Sequence, residues 1–147
     1  MSNVDFSEYL SKPVGEMKRI LLPPGHYHAT FKNWTTKESA SNKPMLVIDF
    51  ALVAAGEDVP PDQLPENGVG NKKLSNFYML AEDFGQDDIR KTLEATGQEM
   101  DPAAPFGQYL DPAKGLPVLL LVEHRRRDKD NPNSELTESI SKVLPAA

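Results

Sequence analysis

The spacing of apolar positions changes along this chain, and each change marks an element. Between residues 23 and 53 the spacing is two. Tyr27, Ala29 and Phe31 share one parity, and His28, Thr30, Lys32 and Trp34 share the other; strand side chains alternate between faces. Leu46, Ile48, Phe50 and Leu52 then make an unbroken apolar face, with Met45, Val47, Asp49 and Ala51 opposite. Both runs are rich in β-branched and aromatic residues, and residues 35–43 between them are polar and basic. The pattern predicts a long antiparallel hairpin with one face in the core and a lysine-bearing tip.

Residues 54–71 hold Gly56, Pro60, Pro61, Pro65, Gly68 and Gly70, the composition of a long loop, and loops of that length are usually functional or mobile. Residues 72–80 read as a third strand. There Phe77 and Tyr78 point to opposite faces, and either fits the core. Residues 83–96 are the best helix. Asp83 is placed to cap it, Asp87 and Asp88 suit its positive end, Ile89 and Leu93 lie one turn apart, and Gly97 stops it. A proline-rich connection follows, then a fourth strand over 117–125, a charged turn over 125–133 and a polar fifth strand over 135–144. Near the N-terminus Phe6, Tyr9 and Leu10 have helical spacing, in a short helix expected to start at Asn3 and to end before Pro13 and Gly15. Residues 1–22 therefore read as an N-terminal arm and 23–147 as a single domain.

Three strands, a helix and two strands is the order of the OB-fold, a mainly β, five-stranded Greek-key barrel with one α-helix between strands 3 and 4. An immunoglobulin-like sandwich would want about seven strands and no central helix.

Composition narrows the function. A chain of 147 residues is one domain's worth, and 39% hydrophobic with 26% charged residues is an ordinary soluble balance. No apolar run approaches the ~20 residues of a membrane span, and no charged-then-apolar leader opens the chain, so a cytoplasmic protein is expected. The absence of cysteine excludes disulfides, thiol nucleophiles and cysteine-ligated zinc. A net charge of -6 argues against nucleic acid. Its distribution reverses that: residues 54–71 carry -4 and residues 82–101 carry -5, which leaves +3 on the rest. Segregated charge permits a basic groove on an acidic protein.

No catalytic constellation stands out. The phosphate-binding glycine patterns are absent, and Asp87-Asp88 serve a helix dipole. His26, His28 and His124 lack a spaced fourth ligand for zinc. No enzyme, metal or cofactor is expected. Single-strand binding instead needs rings for bases and cations for phosphates. Trp34, the single tryptophan, stands between Lys32 and Lys37 and reads equally as a stacking ring or a packing residue. Phe77 or Tyr78 is the next stacking candidate. The phosphate candidates are Lys32, Lys37, Lys43, Lys72, Lys73, Arg125, Arg126 and Arg127, the arginines being diluted by Glu123, Asp128 and Asp130.

Short motifs spread over most of the chain bear on this. They are Asp5-Phe6-Ser7-x-Tyr9-Leu10, Leu22-Pro23-x-Gly25-x-Tyr27, Lys43-Pro44-Met45-Leu46 and Gly115-x-Pro117-Val118, with an asparagine-containing arginine turn before the last strand. On these residues the chain resembles a family of phage-encoded single-stranded DNA-binding proteins. The resemblance implies an OB-fold that coats single-stranded DNA in phage replication or recombination, with little base preference. It leaves room for replication or recombination proteins as partners, and for a homo-oligomer held by the N-terminal arm or edge strands. Bacterial proteins of that function end in an acidic tail that recruits partners. This chain ends Val143-Leu144-Pro145-Ala146-Ala147, so the acidic loop at 56–66 is the expected substitute. The rival expectation is a non-enzymatic protein-interaction module, a phage regulator or a nucleic-acid-mimicking inhibitor, acting through that loop.

Overall fold

The structure, a computed structural model of the chain, describes residues 6–14, 21–64, 68–70, 72–126, 130–133 and 136–146. Five strands run in chain order: β1 (Gly25–Glu38), β2 (Pro44–Ala55), β3 (Lys73–Met79), β4 (Pro117–Arg126) and β5 (Leu136–Pro145). The helices are α1 (Phe6–Leu10), α2 (Asp83–Ala95) and α3 (Leu110–Ala113), with 3-10 turns at Pro61–Gln63 and Phe106–Tyr109. The five strands, and the helix between the third and fourth, are those the periodicity predicts.

The strands form one antiparallel sheet in the order β3-β2-β1-β4-β5. β1 is its spine, pairing with β2 on one side and, over residues 25–30, with β4 on the other. The expected closure into a barrel does not occur: β3 and β5 are the edges of an open sheet. The reason lies in α2, which packs against both edge strands and covers the space between them with side chains. Gly85, Ile89, Thr92 and Leu93, at helical spacing, are the buried stripe of that helix.

The inward parity of every strand feeds one core. Tyr27, Ala29 and Phe31 of β1 meet Leu46, Ile48, Phe50 and Leu52 of β2, as the alternation requires. Phe31 and Phe50 contact edge to face, 5.9 Å between centroids. Val118, Leu120 and Val122 of β4, Ile140 of β5 and Tyr78 of β3 complete it. The chain enters β1 through a fixed corner: Tyr27 OH donates to the Pro23 carbonyl at 2.6 Å, and the His124 ring lies 2.6 Å from the Leu22 carbonyl.

Three expectations are corrected here. The hairpin tip is residues 39–43, not 35–43, because Thr35, Thr36 and Lys37 keep pairing with Val47, Leu46 and Met45. Asn42, at φ 61, makes the turn, and Ser39 N–H bonds the Lys43 carbonyl at 2.8 Å. Asp83 does not cap α2; Glu82 holds that position without a side-chain bond, and Gln86 donates instead to the Leu80 carbonyl at 2.9 Å. Helix α1 begins at Phe6, with Asn3 outside the described residues, and none of its residues is buried.

Candidate nucleic-acid interface

The outward parity of β1, β2 and β3 makes a surface of four rungs, each joining one residue per strand. They are Thr30–Ala51–Lys73, Asn33–Asp49–Ser75, Thr35–Val47–Phe77 and Lys37–Met45–Met79. Strand pairing therefore gathers Lys37, Lys73 and Phe77 from the sequence candidates onto one face. Lys32 joins them, because β1 carries one extra residue between Phe31 and Asn33, and both residues of such a bulge oppose a single partner, here Asp49. Lys32, Lys37 and Lys73 are exposed, and among the described residues none is paired with a carboxylate.

Phe77 settles the ambiguity of the third strand. It is 54% exposed, whereas Tyr78 is 2% exposed. The Lys37 ammonium stands 5.0 Å from the Phe77 ring centroid, a cation over a π face. A ring with a cation above it, on an open sheet surface, offers stacking and phosphate contact side by side.

Tyr78 is corrected from a candidate stacker to a core residue. Its hydroxyl lies 2.7 Å from Thr92 Oγ1 and accepts from Asn76 Nδ2 at 3.0 Å. Burial pushes its phenol up to about 12, the nearby Asp88 charge adding to the same direction.

Trp34 is corrected as well. The alternation places it outward, but the bulge at 32 shifts the parity, so Trp34 pairs opposite Ile48 and packs against the core. Its indole N–H donates to Asp111 Oδ1 at 2.9 Å. That bond, with Lys114 beside it, holds the Asp111 carboxyl below its usual range.

The other cations divide. Lys43 lies beyond the last rung, 3.7 Å from Glu82. Lys72 points away from the face to Glu138, 2.7 Å distant, where the second carboxylate oxygen is buried without a hydrogen bond. Arg125 is exposed on β4 opposite Thr137. Arg127 lies outside the described residues. Two residues of weight were missed: Lys142 of β5, hidden in a strand that reads as merely polar, and Phe84, 86% exposed on the first turn of α2.

Negative charge is mostly elsewhere. Asp49 is the one carboxylate on the rungs, and it accepts the Ser75 hydroxyl. Glu57, Asp58 and Asp62 lie on the loop after β2. Asp58 there accepts both the backbone N–H of His26, at 3.0 Å, and a contact from its ring Nδ1 at 2.8 Å. These bonds hold the Asp58 carboxyl below its ordinary value. That loop meets the start of β1, about 35 Å along the strand from Lys37 at the rise of an extended chain. His26 and His124 serve separate partners, and among the described residues no cluster of ligating side chains has the makings of a metal site. Nor is any helix among them long and apolar enough to cross a membrane. No protein-family model matches the chain, and no curated protein matches it either.

Proposed function

We propose that the protein binds single-stranded DNA across the outward face of β1, β2 and β3, stacking bases on Phe77 and holding phosphates with Lys32, Lys37 and Lys73. The strand order, with α2 between β3 and β4, has the connectivity of an OB-fold opened along one seam, and that fold's second and third strands are a common oligonucleotide surface. The observation that carries the reading is the Lys37 ammonium above the exposed Phe77 ring. An exposed phenylalanine with a free cation over it adds nothing to a core, yet it matches what sequence-tolerant stacking requires. On this reading the protein coats single strands in phage replication or recombination, as the sequence resemblance implies, and performs no chemistry of its own.

Fluorescence anisotropy of a labelled oligo-dT tests it. Phe77→Ala should weaken binding by about 1–3 kcal/mol, the range measured for one stacked base, with an unchanged melting temperature. Wild-type affinity should fall log-linearly with salt. No binding by the wild-type protein at micromolar concentration and low salt would end the proposal.

A further inference from the structure

Beyond Phe77 the sheet edge opens into a cleft of about 600 Å³ between α2, β3 and β5. Its volume lies within the roughly 300–1,000 Å³ of small-ligand sites. Phe77 stands on its rim, so this ring belongs both to the sheet face and to the cleft. Arg125 and Lys142 line it from β4 and β5; Asp88 and Lys91 line it from α2. These charges are not equivalent. Lys91 is occupied by Asp87, at 3.0 Å, whereas among the described residues Arg125 and Lys142 meet no carboxylate. The polar groups deeper in the wall, Tyr78, Thr92 and Asn76, bond one another. What the cleft presents to a ligand is therefore one ring and two unpaired cations, with Asp88 as the opposing charge.

We infer that a bound strand turns over the β3 edge at Phe77 and continues into this cleft, where Arg125 and Lys142 each hold a phosphate. The inference rests on the DNA-binding reading and extends it to a second segment of the path. A phosphodiester chain carries both the ring that stacks on Phe77 and the anions that pair with the two cations. An acidic peptide supplies only the anions.

The test compares dT oligomers of about 4 and about 16 nucleotides, which bracket the site sizes of such domains. Arg125→Ala and Lys142→Ala should each weaken the longer oligomer about three- to tenfold and reduce its salt slope by about 0.7, the share of one phosphate on a single strand. The shorter oligomer should be unaffected by them, while Phe77→Ala weakens both. Asp88→Asn should tighten the longer one. All of these positions are exposed, and unchanged circular dichroism melts confirm the fold. Unaltered affinity and slope in both cation variants, with Phe77→Ala still damaging, overturns the cleft and leaves the sheet face standing. No binding by the wild-type protein overturns both. Polyglutamate binding that depends on Lys142, with DNA binding independent of it, overturns the inference in favour of an acidic partner.

Discussion

Trp34 and Asp111 are joined, indole Nε1 to carboxylate Oδ1 at 2.9 Å, across 77 residues of chain. The bond ties the middle of β1 to α3, and the ring covers part of the core beneath it. Trp34 is thus a strut. Trp34→Ala should cost about 1–3 kcal/mol in urea unfolding, as loss of a half-buried ring does, and leave oligo-dT affinity within about twofold, a shift of under 0.5 kcal/mol. As the single tryptophan it also reports directly: its emission should change on unfolding and hold steady on DNA addition. Strong quenching by oligo-dT would place the ring back on the binding face.

Gly85 lets α2 close onto β3. A Cβ at this position would stand 1.9 Å from the Met79 carbonyl oxygen and 2.7 Å from its carbon, and backbone does not yield cheaply. Gly85→Ala should destabilise by about 3 kcal/mol, the upper end of overpacking costs, even though alanine is the better helix former. A denaturation midpoint equal to wild type would show that α2 sits further from the strand.

The two buried phenols should make the protein fail in alkali. Tyr27 and Tyr78 are each pushed up to about 12, in both cases chiefly by burial, and Glu138 adds to the shift at Tyr27. In the unfolded chain both ionise near 10. The folded state therefore binds more protons between these values, and stability, intact below about pH 10, declines as pH rises towards 12. Tyr78→Phe should flatten that decline while costing about 1–2 kcal/mol at neutral pH, because Thr92 and Asn76 lose their shared partner. Urea unfolding at stepped pH gives both quantities. An identical alkaline slope in the variant would mean that Tyr78 ionises freely in the folded state.

At the acid end the His26–Asp58 contact sets the behaviour of the loop after β2. Asp58 is depressed mainly by the backbone N–H of His26 and then by its ring, so the contribution is present above the ordinary carboxylate range and lost as pH falls through the folded value. Gly56 N–H bonds the His26 carbonyl at 2.7 Å from the same loop. Amide exchange at His26 should be slow at neutral pH, accelerate below about pH 4, and be fast at every pH in Asp58→Ala. Protection retained in that variant would assign the loop's anchorage to Gly56 and the buried Val59.

How much was legible beforehand depends on which neighbour decides each position. The faces of β2 were readable because its apolar alternation is unbroken and only one parity avoids burying Asp49. Helix α2 was readable from Ile89, Leu93 and Gly97. The choice between Phe77 and Tyr78 was not, since both fill a core equally well as apolar volume. It is decided by Thr92, which offers the hydroxyl that a buried phenol needs and a phenylalanine does not. Trp34 was misplaced because alternation assumes an uninterrupted strand, and one inserted residue reverses every parity after it.

Local order along the chain, the composition of the core and the separation of acidic from basic segments were determined by the sequence alone, because each depends on side chains within a few positions of one another. Only the tertiary structure decided that the sheet stays open, that Trp34 braces α3 and that Lys37 comes to stand over Phe77. Those outcomes depend on strand register and on the placement of α2. Both are fixed by contacts between residues far apart in the chain, where the free energy of packing one common core overrides the local pattern.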